Sequence, residues 1–78
     1  MNDGKSTVPR DVPVRGVPIE LCQLLKFGGL AATGGEAKAH ISAGKVQVNG
    51  VTETQKRKKL QAGDRVSFDG QTLVVRLA

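Results

Sequence analysis

Lysine and arginine side chains are the residues of this sequence whose number and spacing point to chemistry. Between positions 38 and 59 there are six basic residues and one acidic residue, Glu53, an excess that equals the net charge of +5 of the whole 78-residue chain. Clustered cations bind polyanions by releasing the counterions that surround phosphates. The candidate phosphate-binding residues are Lys38, Lys45 and four consecutive cations, Lys56, Arg57, Lys58 and Lys59, which we call the basic run.

The sequence lacks the groups of residues that usually catalyse reactions or bind metals. Cys22 is the one cysteine, so it forms neither an internal disulfide nor a thiolate zinc site alone, and a small core residue is its expected role. His40 is the one histidine, and the sequence suggests no nucleophile or orienting partner for it. We therefore expect no enzyme activity, no cofactor, no metal and no small-molecule substrate.

The aromatic residues restrict the kind of nucleic acid that the cations could bind. The sequence contains two phenylalanines, Phe27 and Phe68, and no Tyr or Trp. The positions of both phenylalanines predict that they belong to the core. Proteins that bind single strands stack bases on exposed aromatic rings. The sequence therefore favours recognition of folded or duplex RNA through phosphates and 2′-hydroxyls.

A helix that begins after Thr33 would carry the first of these cations. Thr33 and Glu36 have the spacing of a capping box, in which the hydroxyl accepts from the N–H of Glu36 and the carboxylate accepts from the N–H of Thr33. The pattern predicts a helix over residues 34–43. Its two initial glycines, Gly34 and Gly35, offer free N–H groups to a phosphate; a tight turn that requires glycine explains them equally well.

Another helix is predicted earlier in the chain. Pro18 suits a first helical turn, and glycines at 28 and 29 suit a helix end. The spacing predicts a helix from Pro18 to about Phe27 with one apolar stripe. The stripe contains Leu21, Leu24, Leu25 and Gly28.

The rest of the chain predicts strands. Residues 1–11 are polar and aperiodic and indicate a disordered arm, so residues 12–78 are expected to form the single domain. Pro13 restricts a strand over residues 12–17 to the edge of a sheet. Asn49-Gly50 and Asp69-Gly70 are signals of tight hairpin turns. The other predicted strands cover residues 46–48, 51–54, 65–68 and 72–77.

The order of these motifs resembles the RNA-binding domain named after the small-subunit ribosomal protein S-four. The resemblance covers about Ile19 to Phe68. The segments at 34–38, GGEAK, and at 56–59, KRKK, are more similar to the stand-alone bacterial YbcJ-like group. The matching motifs are the Leu-rich helix, Thr33-x-x-Glu36-Ala37, Ile41-x-x-Gly44-x-Val46-x-Val48-Asn49-Gly50 and Gly63-Asp64-x-Val66.

The resemblance implies an α+β fold in which a two-helix unit, a helix-turn-helix-like pair, packs on a small, mostly antiparallel sheet. It implies a non-catalytic protein that binds structured RNA, either ribosomal or transfer RNA, through a basic surface. Lys38, Lys45 and Asn49 match the family's RNA-facing positions, and the basic run is expected to lie near both lysines. Further RNA contacts are assigned to Gly34, Gly35, Lys26, His40 and Ser42.

Other function classes explain parts of the sequence. The cations could meet an acidic protein, which would make the chain an interaction adaptor, or the basic run could be a solvated edge that prevents strand association. A sulfur-carrier or ubiquitin-like protein would end in Gly-Gly, whereas this chain ends Arg76-Leu77-Ala78. No apolar stretch approaches the roughly 20 residues of a membrane span. We expect a cytoplasmic monomer.

Overall fold

Two helices pack against a mixed β-sheet, which confirms the predicted α+β class. The structure, a computed structural model, describes residues 9–78. The fold also contains a second, two-stranded sheet. The elements in chain order are β1 (Arg10–Val14), β2 (Ile19–Glu20), α1 (Leu21–Phe27), α2 (Gly34–Ser42), β3 (Val46–Val48), β4 (Val51–Thr52), β5 (Lys59–Leu60), β6 (Arg65–Phe68) and β7 (Gln71–Leu77).

The larger sheet has the strand order β1-β7-β6-β3-β4. Its pairings are antiparallel except that β1 lies parallel to β7, with Val12 opposite Val75. Parallel neighbours cannot be joined by a tight turn, and here almost the whole described chain connects them. Pro13 lies on β1, at the edge of the sheet, where its missing N–H costs no ladder hydrogen bond.

The first strand begins earlier than predicted. Arg10 and Asp11 pair with Leu73 and Val74, so they belong to β1 and not to the arm assigned to residues 1–11. Residues 1–8 of that arm lie outside the described residues. The sequence pattern did not predict this part of the strand, because Arg10 and Asp11 are polar. They pair with β7 through backbone groups, and such pairing does not require alternating apolar side chains.

The first helix begins at Leu21, so the prediction that it starts at Pro18 is wrong. The two residues before it form β2, which pairs with β5 so that Ile19 lies opposite Leu60. Both of these side chains are buried. A pairing between segments forty residues apart leaves no local pattern in the sequence, and it overrides the helix preference of this position.

The cap of the second helix is confirmed in part. The Thr33 hydroxyl accepts a hydrogen bond from the N–H of Glu36 at 3.1 Å, as predicted. The Glu36 carboxylate accepts from the N–H of Ala32 at 2.7 Å, so the predicted bond to the N–H of Thr33 is wrong. The helix ends one residue earlier than predicted, and Gly44 follows with φ of 75°. A left-handed glycine at this position is the usual end of a helix.

The core lies between the helix pair and the larger sheet. The predicted apolar stripe of α1 is buried, as are Ala37 and Ile41 of α2. Phe68 is half-buried and packs against this core, but the prediction that Phe27 is buried is wrong, since 58% of its surface is exposed. The largest fully buried side chains are Leu21, Leu24, Leu25, Ile41, Val46, Leu60, Val66, Leu73 and Val75.

Gly28, the C-cap of α1, packs directly against Leu73 of β7. A Cβ at this position would collide with the side chain of Leu73 and lie 3.2 Å from the carbonyl oxygen of Leu24. Gly28→Ala should therefore lower the free energy of unfolding by about 1–2 kcal/mol, because overpacking a filled core forces neighbours to move. Urea unfolding measures the change. Gly34→Ala is the matched control, since no atom lies within 4 Å of its Cβ, and an equal loss there would contradict the packing explanation.

Candidate nucleic-acid interface

The basic run is held against the start of α1 by backbone hydrogen bonds. The N–H of Leu21 donates to the carbonyl of Lys58 at 2.9 Å, and the N–H of Cys22 donates to the carbonyl of Lys56 at 3.2 Å. These N–H groups belong to the first turn, which has no partners within its own helix, and Glu20 provides no side-chain cap. The carbonyls of the basic run therefore cap α1.

This anchoring brings cations from three elements to one small, open cleft of about 160 Å³. Lys26 comes from the last turn of α1, Lys38 from α2 and Arg57 from the basic run. Because α1 packs on α2 and is capped by the basic run, the three side chains line the same depression. The residues that line the cleft are Glu20, Cys22, Gln23, Lys26, Gly34, Lys38 and Arg57.

The charge of the cleft is positive. Its one carboxylate, on Glu20, is paired with the ammonium of Lys59, with 3.4 Å between Oε2 and Nζ. Within residues 9–78, Lys26, Lys38 and Arg57 form no ion pair. Three uncompensated cations around one depression favour a phosphate there.

The start of α2 lies at the same cleft. Gly34 lines it, and Gly35, the next helical residue, does not. The hydroxyl of Thr33 occupies the N–H of Glu36, so the N–H groups of the glycines are the ones left in the first turn. Neither glycine has a positive φ, and a Cβ at either would meet nothing closer than 3.9 Å. The alternative that a tight turn requires these glycines is therefore wrong.

Lys45 lies apart from this cleft. It lines a shallow hollow with Phe68 and Asp69, next to the turn between β6 and β7. The structure therefore brings the basic run to Lys38, through Arg57, but does not place Lys45 in the same depression. Lys56 and Lys58 are exposed on the outside of the loop. A role of these three lysines in RNA binding stays a prediction.

His40 and Ser42 occupy the later part of α2. The His40 ring packs on Phe68 with 4.5 Å between ring centroids, and its Nε2 lies 3.8 Å from the Glu36 carboxylate. Ser42 is the last helical residue and is exposed. Neither side chain lines the cationic cleft, so their assignment as RNA contacts is also still a prediction.

Asn49 has a structural role that the sequence did not reveal. Its Oδ1 accepts from the N–H of Arg65 at 2.9 Å, and its Nδ2 donates to the Asp64 carboxylate at 3.3 Å. Its own N–H donates to the carbonyl of Arg65 at 2.7 Å. The Asp64 carboxylate also accepts from the N–H of Gln61 at 2.7 Å. The Asn-Gly and Gly-Asp motifs therefore join two turns to each other, which explains why they occur together.

Phe27 was missed as a surface residue, although the sequence held the signal. At 100° per residue, Phe27 lies on the side of α1 away from the buried stripe, one turn after Gln23. Gln23 and Lys26 line the cleft and Phe27 does not, so Phe27 follows a cleft-lining residue in the chain and lies one helical turn from another. The prediction assigned Phe27 to the core from its position in the chain, without applying the helical spacing to this residue.

The described residues offer neither a metal site nor a membrane-spanning helix. Among residues 9–78, no group of three or more His, Cys, Asp or Glu side chains is placed to hold a metal ion. Over the same residues, no helix has the length and apolar character needed to cross a membrane.

Comparison with known proteins identifies the family. Residues 12–76 match the family model described as the S4 domain. This chain belongs to the S4 domain family. The predicted resemblance to the S-four-type domain is therefore confirmed.

Two other proteins are similar to this chain. YbcJ of Escherichia coli (strain K12) is 47% identical over 57 residues, which cover 73% of this chain and 81% of YbcJ. The solution structure of E. coli YbcJ, described as revealing an ALFAL motif involved in RNA-binding, matches 97% of this chain and 95% of that chain with a TM-score of 0.64 and 36% identity. The tyrosine–tRNA ligase of Burkholderia lata is 36% identical over 76 residues, which cover 94% of this chain but 18% of the ligase.

Proposed function

We propose that this S4 domain protein is a non-catalytic RNA-binding protein that recognises structured RNA through the cationic cleft. The observation that carries the proposal is the meeting of Lys26, Lys38 and Arg57, from three separate elements, at one depression. The free N–H group of Gly34, which lines the same depression, adds a donor. A domain that assembles unpaired cations in this way is suited to phosphates held at a defined spacing.

The arrangement favours the backbone of folded RNA over base sequence. Phosphate contacts orient a protein on its ligand but carry no sequence information directly, and the cleft-lining side chains of Lys and Arg are phosphate binders. The motif described for YbcJ as involved in RNA-binding supports RNA as the ligand. Ribosomal or transfer RNA, met in the cytoplasm, is the proposed ligand class, and crosslinking followed by sequencing of the bound RNA would identify it.

Salt dependence tests the proposal quantitatively. Three phosphate contacts should give log K against log salt a slope of about −2.7, which weakens binding about 40-fold between about 50 and about 200 mM salt. Fluorescence anisotropy with a labelled RNA hairpin measures this slope.

A DNA hairpin of the same sequence is the control for shape, because A-form and B-form helices present their phosphates differently. We expect the DNA to bind more weakly. Affinity for RNA that does not change with salt would contradict the proposal. In lysate, a set of bound proteins that survives ribonuclease would instead favour an adaptor for acidic proteins.

A further inference from the structure

Phe27 is an exposed aromatic ring on a helix whose other exposed residues are polar. It is 58% exposed, at the last residue of α1. The other exposed side chains of the same helix are Gln23 and Lys26, which are both polar. Among residues 9–78 the other exposed large apolar side chains are Val51 and Leu77, which lie on strands, so the exposed face of α1 carries no apolar stripe of the kind that marks a protein-binding patch.

Cations lie on both sides of this ring along the chain. Lys26 precedes it and lines the cationic cleft. The guanidinium of Arg10 donates a hydrogen bond to the carbonyl of Gly28, the residue that follows it. An exposed ring with cations close to it in the chain suits a nucleotide, whose base stacks on an aromatic face while a neighbouring phosphate contacts a cation.

We propose that Phe27 stacks on an unpaired base of the RNA, next to the phosphate held in the cleft. The ligand class is then a folded RNA with a bulged or looped-out nucleotide, rather than a continuous duplex. This inference rests on the proposed function, because it needs RNA at the cleft. It also reverses the conclusion from the sequence that the chain has no stacking platform, which depended on Phe27 being buried.

The test compares two RNA hairpins of the same stem, one fully paired and one with a single bulged uridine. Phe27→Leu keeps an apolar, helix-compatible residue but removes the aromatic face. It should weaken binding of the bulged hairpin about tenfold, within the range that alanine substitution gives for one stacked base. Its affinity for the paired hairpin should stay within about twofold of the parent. Circular dichroism checks that the variant is folded.

A tryptophan at this position reports stacking directly. The sequence contains no Trp and no Tyr, so Phe27→Trp introduces the sole strong fluorophore. Its emission should be quenched by the bulged hairpin and not by the paired one. Val51→Trp is the matched control, since Val51 is 68% exposed on β4, at the edge of the sheet, and does not line the cleft. We expect no quenching of this control.

Arg57→Glu separates failure of this inference from failure of the proposed function. If Arg57→Glu weakens binding of both hairpins while Phe27→Leu leaves their affinity ratio unchanged, stacking is overturned and RNA binding at the cleft stands. Equal quenching of Phe27→Trp by the paired hairpin would also overturn stacking. If the parent protein binds neither hairpin, both proposals fail.

Discussion

Replacing Arg57 with glutamate should weaken the binding of an RNA hairpin about tenfold, and adding Lys38→Glu should bring the loss to about 100-fold. Each change removes a phosphate contact and places a carboxylate at the cleft. The slope of log K against log salt should fall by about one for each cation removed. Fluorescence anisotropy over a range of salt concentrations measures both quantities. Arg57 is exposed in a loop, so its replacement should not affect folding.

Lys45→Glu is the charge-matched control for this experiment. It changes the net charge by the same amount, but Lys45 lines the hollow beside Phe68 and Asp69 and not the cleft. We expect Lys45→Glu to weaken RNA binding by no more than about threefold, because a charge away from the cleft interacts with the RNA only through a screened long-range attraction. If Lys45→Glu weakens RNA binding as much as Arg57→Glu does, then net charge or a wider surface determines binding, and the cleft is not the site.

Replacing Asn49 with alanine should lower the free energy of unfolding by about 2–3 kcal/mol, because the two side-chain hydrogen bonds to the Arg65 N–H and the Asp64 carboxylate are lost. Alanine also disfavours the left-handed backbone that Asn49 adopts, with φ of 52°. RNA affinity, measured under conditions where the variant is folded, should not change. Urea unfolding and anisotropy together check this prediction.

Two variants separate the backbone from the side chain. Asn49→Gly keeps the positive φ and loses only the hydrogen bonds, so it should be less destabilising than Asn49→Ala. Asp69 has the same φ of 52° in the other tight turn, and its carboxylate makes no hydrogen bond or ion pair within residues 9–78. Asp69→Ala should therefore show the backbone cost alone, about 1 kcal/mol. If Asn49→Gly keeps full stability and loses RNA affinity, Asn49 is an RNA contact and its structural role is refuted.

Much of the local structure could be predicted because its causes are local. The Thr33 cap, the left-handed glycine at 44 and the Asn49-Gly50 turn each depend on residues within four positions of one another. The same holds for the buried stripe of α1, which follows from helical spacing. The prediction of where α1 starts failed for the opposite reason, since the preceding strand β2 exists only because it pairs with the distant β5.

The candidate site divides in the same way. Arg57 was chosen from charge density, and Lys38 from charge and from the family match; the structure places both at the cleft. Lys45 was chosen on the same two grounds as Lys38, but neither charge nor a motif determines which face a side chain lines. Asn49 was chosen from the family motif, whereas its amide is engaged by Asp64 and Arg65. A sequence motif can therefore reflect hydrogen bonds that join two turns of the fold, as well as contacts with a ligand.

By itself, the sequence determined the kinds of element, their turns and the location of the excess positive charge, because propensity, periodicity and charge are properties of single residues and near neighbours. The tertiary structure decided where that charge lies. The N–H groups at the start of α1 have no cap of their own, and the carbonyls of Lys56 and Lys58 satisfy them. That backbone contact brings Arg57 to Lys26 and Lys38. It depends on the folded backbone and on no side chain of the basic run, so no residue pattern could have shown it.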